Sequence, residues 1–163
     1  MKVSLLIIVS ILLAACENNI NESALIGTWA TESCEQNLDS NQKPINSWGK
    51  ALYEFTPQGY INLGRQTYND SSCEELKEEG ISSGESRIAY IDSGEAALQE
   101  GIVGNSLKIA IDTDGQIQAV EGYYKITDNT LCFSEVFKFG VFGFYIEDSF
   151  SPSIDFEHCL VKI

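Results

Sequence analysis

The sequence predicts an all-β protein: a small antiparallel barrel of about eight strands, with one or two short helical turns. Three observations carry that reading. Apolar and polar residues alternate over short runs rather than recurring at helical spacing. Turn-forming residues such as Pro57-Gln58-Gly59, Asp114-Gly115 and Asp128-Asn129 punctuate those runs. Many short strands in one domain-sized chain then suggest a barrel or a sandwich.

Leu25 to Ser33 opens the domain. Ala51 to Thr56 alternates, with Tyr53 and Phe55 on one face and Glu54 on the other. Pro57-Gln58-Gly59 turns the chain, and Tyr60 to Tyr68 returns as a second strand. Arg87 to Ile91 places Ile88 and Tyr90 on a shared face. Leu107, Ile109 and Ile111 alternate with Lys108, Ala110 and Asp112, and Asp114-Gly115 supplies a turn that needs positive φ. Gln116 to Val120 and Gly122 to Thr127 follow, with a bulge expected at Glu121-Gly122. Asp128-Asn129 turns into Thr130 to Glu135, and Asp155 to Ile163 closes the chain with Cys159, Val161 and Ile163 on one face. Helical signals are confined to Cys73 to Glu78, capped by Asp70-Ser71-Ser72, and to Ser93 to Glu100. Gly80 to Gly84 reads as a loop.

The first sixteen residues, MKVSLLIIVSILLAAC, follow a different logic. Lys2 is a positive n-region, Val3 to Leu13 an apolar h-region, and Leu13-Ala14-Ala15-Cys16 a small-residue cleavage site ending in cysteine. The apolar run covers about a dozen residues, whereas crossing a bilayer takes roughly twenty. The segment resembles the signal peptide and lipobox of bacterial lipoproteins. That resemblance implies removal of residues 1–15 and lipidation of Cys16, with 16–24 as a polar tether and 25–163 as the folded domain. Glu17 is not the aspartate of inner-membrane retention, so the resemblance implies the outer membrane, facing the periplasm.

Composition narrows the partners. The chain of 163 residues carries 24 acidic and 10 basic residues, a formal charge of −14. Such acidity excludes nucleic acid, whose phosphates require a basic surface. It also opposes lying flat on an anionic bilayer, which leaves the lipid anchor as the expected membrane contact. Solubility is one account of the charge, and a cationic partner is another. With Cys16 lipidated, Cys34, Cys73, Cys132 and Cys159 remain, an even set that reads as two disulfides in an oxidising compartment. Three connectivities are open, and the sequential pairing, Cys34–Cys73 and Cys132–Cys159, is preferred because each bridge ties neighbouring segments. Zinc is disfavoured, since no pair has Cys-x-x-Cys spacing and the single histidine is His158. No metal and no cofactor are expected.

Leu25-Ile26-Gly27-Thr28-Trp29 resembles the opening of lipocalin-like domains, in which the Gly-x-Trp glycine allows a close bend and the tryptophan plugs one end of a barrel. The layout of Cys34, Tyr68…Cys73 and Gly122-Tyr123-Tyr124…Leu131-Cys132-Phe133 is similar to that of small cysteine-containing lipocalin-like lipoproteins. Where lipocalins carry Thr-Asp-Tyr, this chain has Thr127-Asp128-Asn129, read as a hairpin turn. Lys162 is the one residue placed to serve as the basic side chain that stacks on the tryptophan.

No catalytic residue is expected, because nucleophilic catalysis needs a base and His158 sits beside a disulfide cysteine. Asp112-Thr113-Asp114-Gly115 faintly resembles a calcium loop, yet a hairpin turn accounts for it. If Ile61 and Leu63 face inward, Arg65 does too, toward an anionic ligand or a buried carboxylate. Val136 to Phe150 concentrates Phe137, Phe139, Phe142, Phe144, Tyr145 and Phe150 around Gly140 and Gly143. It forms either a core hairpin or an exposed aromatic mouth. Arg65, Phe142, Phe144 and Tyr145 are therefore the binding candidates. The expected function is non-catalytic binding of a small apolar ligand or a protein partner; the alternative is an acidic inhibitor of a cationic envelope hydrolase such as lysozyme. An open apolar cavity favours the ligand, and a filled interior with a protruding acidic loop favours the inhibitor.

Overall fold

Alternation and turn chemistry produce twelve strands among the described residues: β1 (Gly27–Thr31), β2 (Glu35–Leu38), β3 (Pro44–Phe55), β4 (Ile61–Tyr68), β5 (Leu76–Ile81), β6 (Ile88–Ala97), β7 (Val103–Thr113), β8 (Gln116–Thr127), β9 (Thr130–Ser134), β10 (Phe137–Gly140), β11 (Gly143–Ile146) and β12 (Ile154–Lys162). The structure, a computed structural model, describes residues 23–82, 87–98, 101–140, 143–146 and 153–163, without the side chains of 140 and 143–145. Ten strands form one antiparallel sheet in the order β5-β4-β3-β1-β12-β9-β8-β7-β6, with β2 paired to β3, and β10 and β11 form a separate hairpin. The first and last strands are thus neighbours in the middle, with Trp29 opposite Lys162 on one side and Tyr53 on the other.

The sheet is strongly curled. In a flat sheet, β3 and β6 would lie roughly 29 Å apart, six strand spacings along the order. Instead the rings of Phe55 and Tyr90 meet edge to face at 5.2 Å. The hydrogen-bonded ladder nevertheless stays open between β5 and β6. The two arms meet at an isolated bridge between Tyr60 and Ala89, where the Tyr90 amide donates to the Gly59 carbonyl at 2.7 Å. The concave face is one continuous core that includes Trp29, Tyr53, Ile61, Leu107, Ile109, Leu131 and Leu160. On the opposite face, Cys132, Ile154 and Cys159 form a smaller cluster with Leu98 and Tyr123 packed against it.

Two expectations are corrected. No α-helix stands among the described residues. Asp70 does cap, but it caps a loop: its carboxylate accepts the amides of Ser72, Glu74 and Glu75. The chain then leaves Cys73 at φ +54° and enters β5, which takes in Leu76 to Ile81 and so part of the expected GISSG loop. Neighbouring charges on a short helix contribute only a few tenths of a kcal/mol, too little to compete with a β4–β5 ladder and a disulfide. Likewise Ser93 to Ala97 belongs to β6, while Gln99 and Glu100 lie outside the described residues.

The second correction concerns Glu121-Gly122. β8 runs without a register shift against β7, so no bulge interrupts it. Gly122 serves close approach instead. A Cβ there would sit 2.5 Å from the Phe137 ring and 2.6 Å from Ser134 Oγ, where the segment after β9 folds onto β8.

Candidate functional site

Near Ser23 the chain is latched. The Ser23 and Tyr124 hydroxyls both donate to Asp92 Oδ2, at 2.5 and 2.7 Å, and the Gly94 amide donates to Oδ1 at 3.0 Å. Burial, then its hydrogen bond to Asp92, raises the Tyr124 hydroxyl well above the ordinary phenol value. Trp29 is sealed in the core and donates its indole N–H to the Leu25 carbonyl at 2.7 Å. Lys162 Nζ stands 5.2 Å from its ring centroid, and Gly27, at φ +128°, passes beneath the Lys162 stem.

The other end of β1 carries the disulfides' first bridge. Cys34 pairs with Cys73, and Cys132 pairs with Cys159 across β9 and β12. The first bridge clamps the loop from Asn69 to Glu75 against the chain leaving β1. From there into β5, Asp70, Glu74, Glu75, Glu78 and Glu79 set five carboxylates against the single ammonium of Lys77. Every one of these except Asp70 is exposed. This acidic limb lies at the end of the sheet remote from Ser23, because β3 carries the register from Phe55, opposite Gly27, up to Trp48, opposite Tyr68.

Arg65 lies on the concave side, across from core residue Ala51. The buried carboxylate expected as its partner is not found among the described residues. The guanidinium donates from Nη2 to Asn37 Oδ1, and Asn37 in turn donates to Ser47 Oγ at 2.9 Å and to the Trp48 carbonyl at 3.3 Å. Arg65 Nε is buried without a hydrogen-bond partner and rests over Gly49, where a Cβ would approach it to 2.7 Å. Position 49 leaves room for the arginine.

The aromatic segment turns inward where it is described. Phe137 is buried, and Phe139 stacks on Phe133 at 4.2 Å and meets Tyr53 edge-on at 4.9 Å. Phe144 and Tyr145 pair with Phe139 and Lys138 in the β10–β11 register, but their side chains lie outside the described residues, as does Phe142 entirely. Cys16 lies outside them too. His158 is exposed and spends Nδ1 on Asp155 Oδ2 at 3.0 Å, with Lys138 Nζ at 3.6 Å from the same oxygen. Burial pushes the Asp155 carboxyl up, but the Glu157 amide, His158 and Lys138 outweigh it, leaving the group more acidic than usual. Asp112 Oδ1 accepts the Gly115 amide at 2.8 Å, and both Asp114 and Gly115 have positive φ, so the calcium-like tetrad forms the hairpin turn.

No protein-family model matches the chain, nor does any curated protein or solved structure compared with it. Its function is therefore argued from its own residues. Sequence reasoning missed Asn37 and Asp92, the polar centres of the two networks. Each is an ordinary polar residue in a strand, and its partners arrive from 28 and 32 positions away, a distance at which no local pattern signals contact.

Proposed function

We propose that the chain is a lipid-anchored protein of the bacterial outer membrane, facing the periplasm, that binds a basic protein partner without catalysis. In this reading Cys16 carries the lipid, and the curled sheet is a lipocalin-like barrel whose interior is packed rather than hollow. The observation that carries the choice of partner is the Phe139 ring, lodged between Phe133 and Tyr53 where an apolar ligand would otherwise lie. With the interior occupied by side chains, recognition falls to the outside, which is strongly acidic.

A cationic hydrolase such as lysozyme is the partner class favoured by the clamped acidic limb. The tether enters near Ser23, and the run of β3 from Phe55 to Trp48 spans roughly 23 Å, so the limb points away from the anchored end. A field of this sign raises encounter rates with basic proteins and weakens as salt screens it. Immobilised domain should retain basic proteins from an envelope extract at low salt and release most of them by about 0.5 M salt, well beyond physiological screening. Capture that ignores salt, or capture of no basic protein, refutes this reading. Separately, Cys16→Ala should abolish incorporation of labelled palmitate; incorporation in that variant refutes the anchor.

A further inference from the structure

On the convex side, where the two arms of the sheet meet, lies an open depression of about 440 Å³. Ile88 and Tyr90 are buried in the core, so alternation turns Ala89 outward, and its neighbour in the ladder, Ala110, shares that face. These two small side chains form the floor. Tyr60 and Ile117 form walls, 47% and 73% exposed, which leaves an aromatic ring and a branched aliphatic chain in water. The rim is charged. Arg87 Nη1 meets Asp114 Oδ1 at 3.0 Å, so one carboxylate is compensated. Asp112 spends one oxygen on the turn amide of Gly115 and stands opposite Ile117 in the β7–β8 register.

We propose that this depression receives a lysine or arginine side chain of the partner; the occupant rests on the reading of a basic protein partner given above. The chemistry matches an amphipathic cation part by part. Ala89, Ala110 and Ile117 offer apolar contact to its methylene stem. Tyr60 presents a ring for cation–π contact, and Asp112 supplies a carboxylate oxygen for the charged head. A neutral apolar knob would leave that carboxylate desolvated, and an anion would be repelled by it. The charge of −14 over the whole chain draws cations to the surface, and this depression gives one of them a shaped place to stop.

The test is an amide-NMR titration of the domain from Cys16 to Ile163 with N-acetyl-arginine amide, and in parallel with its uncharged analogue N-acetyl-citrulline amide. Saturating shifts at Ala89, Ala110 and Gly115 with the first probe and none with the second are expected. Ala110→Trp, which fills the floor, should weaken the arginine probe about tenfold, and Asp112→Asn about threefold. Shifts confined to the Asp70–Glu79 limb, equal response to both probes, or an unchanged Ala110→Trp would overturn the inference. Ile117→Ser, at an exposed position, provides a second variant should Ala110→Trp disturb the fold, and it too should weaken the probe. The probe needs no partner, so a responsive depression in a domain that captures no basic protein would refute the proposed function and leave the cation site standing.

Discussion

Asp70 organises more backbone than any other carboxylate described. Its two oxygens take three amides and the Ser72 hydroxyl, and they hold its pKa down to about 2, chiefly through Ser72 and then the Glu75 and Glu74 amides. Because the folded carboxyl is more acidic than its ordinary value of 3.8, its contribution is complete above that value and is lost as the pH falls through about 2. The amide shifts of Ser72, Glu74 and Glu75 should therefore titrate together near pH 2; a common midpoint near 3.8 would show that Asp70 does not hold the loop. Gly122 makes an opposite demand, for absence. Gly122→Ala should cost about 1–3 kcal/mol in urea denaturation, because the Phe137 and Ser134 side chains leave no space for a methyl group. Lys162→Met keeps the aliphatic stem and removes the charge over Trp29. Its cost should stay within about 1 kcal/mol, and a larger loss would mean that the ammonium has a role beyond the ring.

At the scale of elements, the β10–β11 hairpin decides what the interior can hold. Phe139→Ala removes a ring with two aromatic neighbours and should destabilise the domain by about 3 kcal/mol. The same variant opens space beside Phe133, so binding of an apolar dye by the variant and not by the parent is the expected companion result. The strands that the sequence announced most clearly are those with strict alternation and a strong turn, β7 into β8 above all, where Asp114-Gly115 is decisive. The first half of β3 was illegible, because Ile45, Ser47 and Gly49 carry no hydrophobic alternation and are held by β2 and Arg65 rather than by an apolar face. β5 escapes a sequence reading, which gives a helical turn over Leu76–Glu78 and a loop from Gly80, for a related reason. A strand exposed nearly throughout its length has no burial pattern to display, and its register comes from β4. Of the candidate site, the aromatic segment and Arg65 could be singled out by composition and alternation. The depression at Tyr60 and Ile117 could not, since it exists only where β4 meets β6.

For the whole molecule, the two disulfides divide the work. Cys34–Cys73 closes 39 positions at the acidic end, and Cys132–Cys159 closes 27 between β9 and β12. In the chain-entropy account each contributes between about 3 and 4 kcal/mol by restricting the unfolded chain. The consequences should differ. Cys34→Ser with Cys73→Ser should lower stability and raise proteolysis within Asn69–Glu75, whereas Cys132→Ser with Cys159→Ser should loosen the strand pair that joins β12 to β9. Limited proteolysis that attacks the same bonds in both double variants would contradict this division. The acidic surface adds self-repulsion, so both variants should gain stability as salt rises.

The position of β1 has a mechanical meaning. The chain enters the fold through the Ser23 latch and passes at once into a strand paired on both sides, with β3 and with β12. A pull on the N-terminal side therefore runs along β1, parallel to its neighbours and across the direction of their hydrogen bonds. Load of that kind is shared by both ladders together instead of opening them one bond at a time. If the proposed lipid anchor holds this end, drag on a bound partner would pass from β1 into β3 and β12 as shear across both ladders at once.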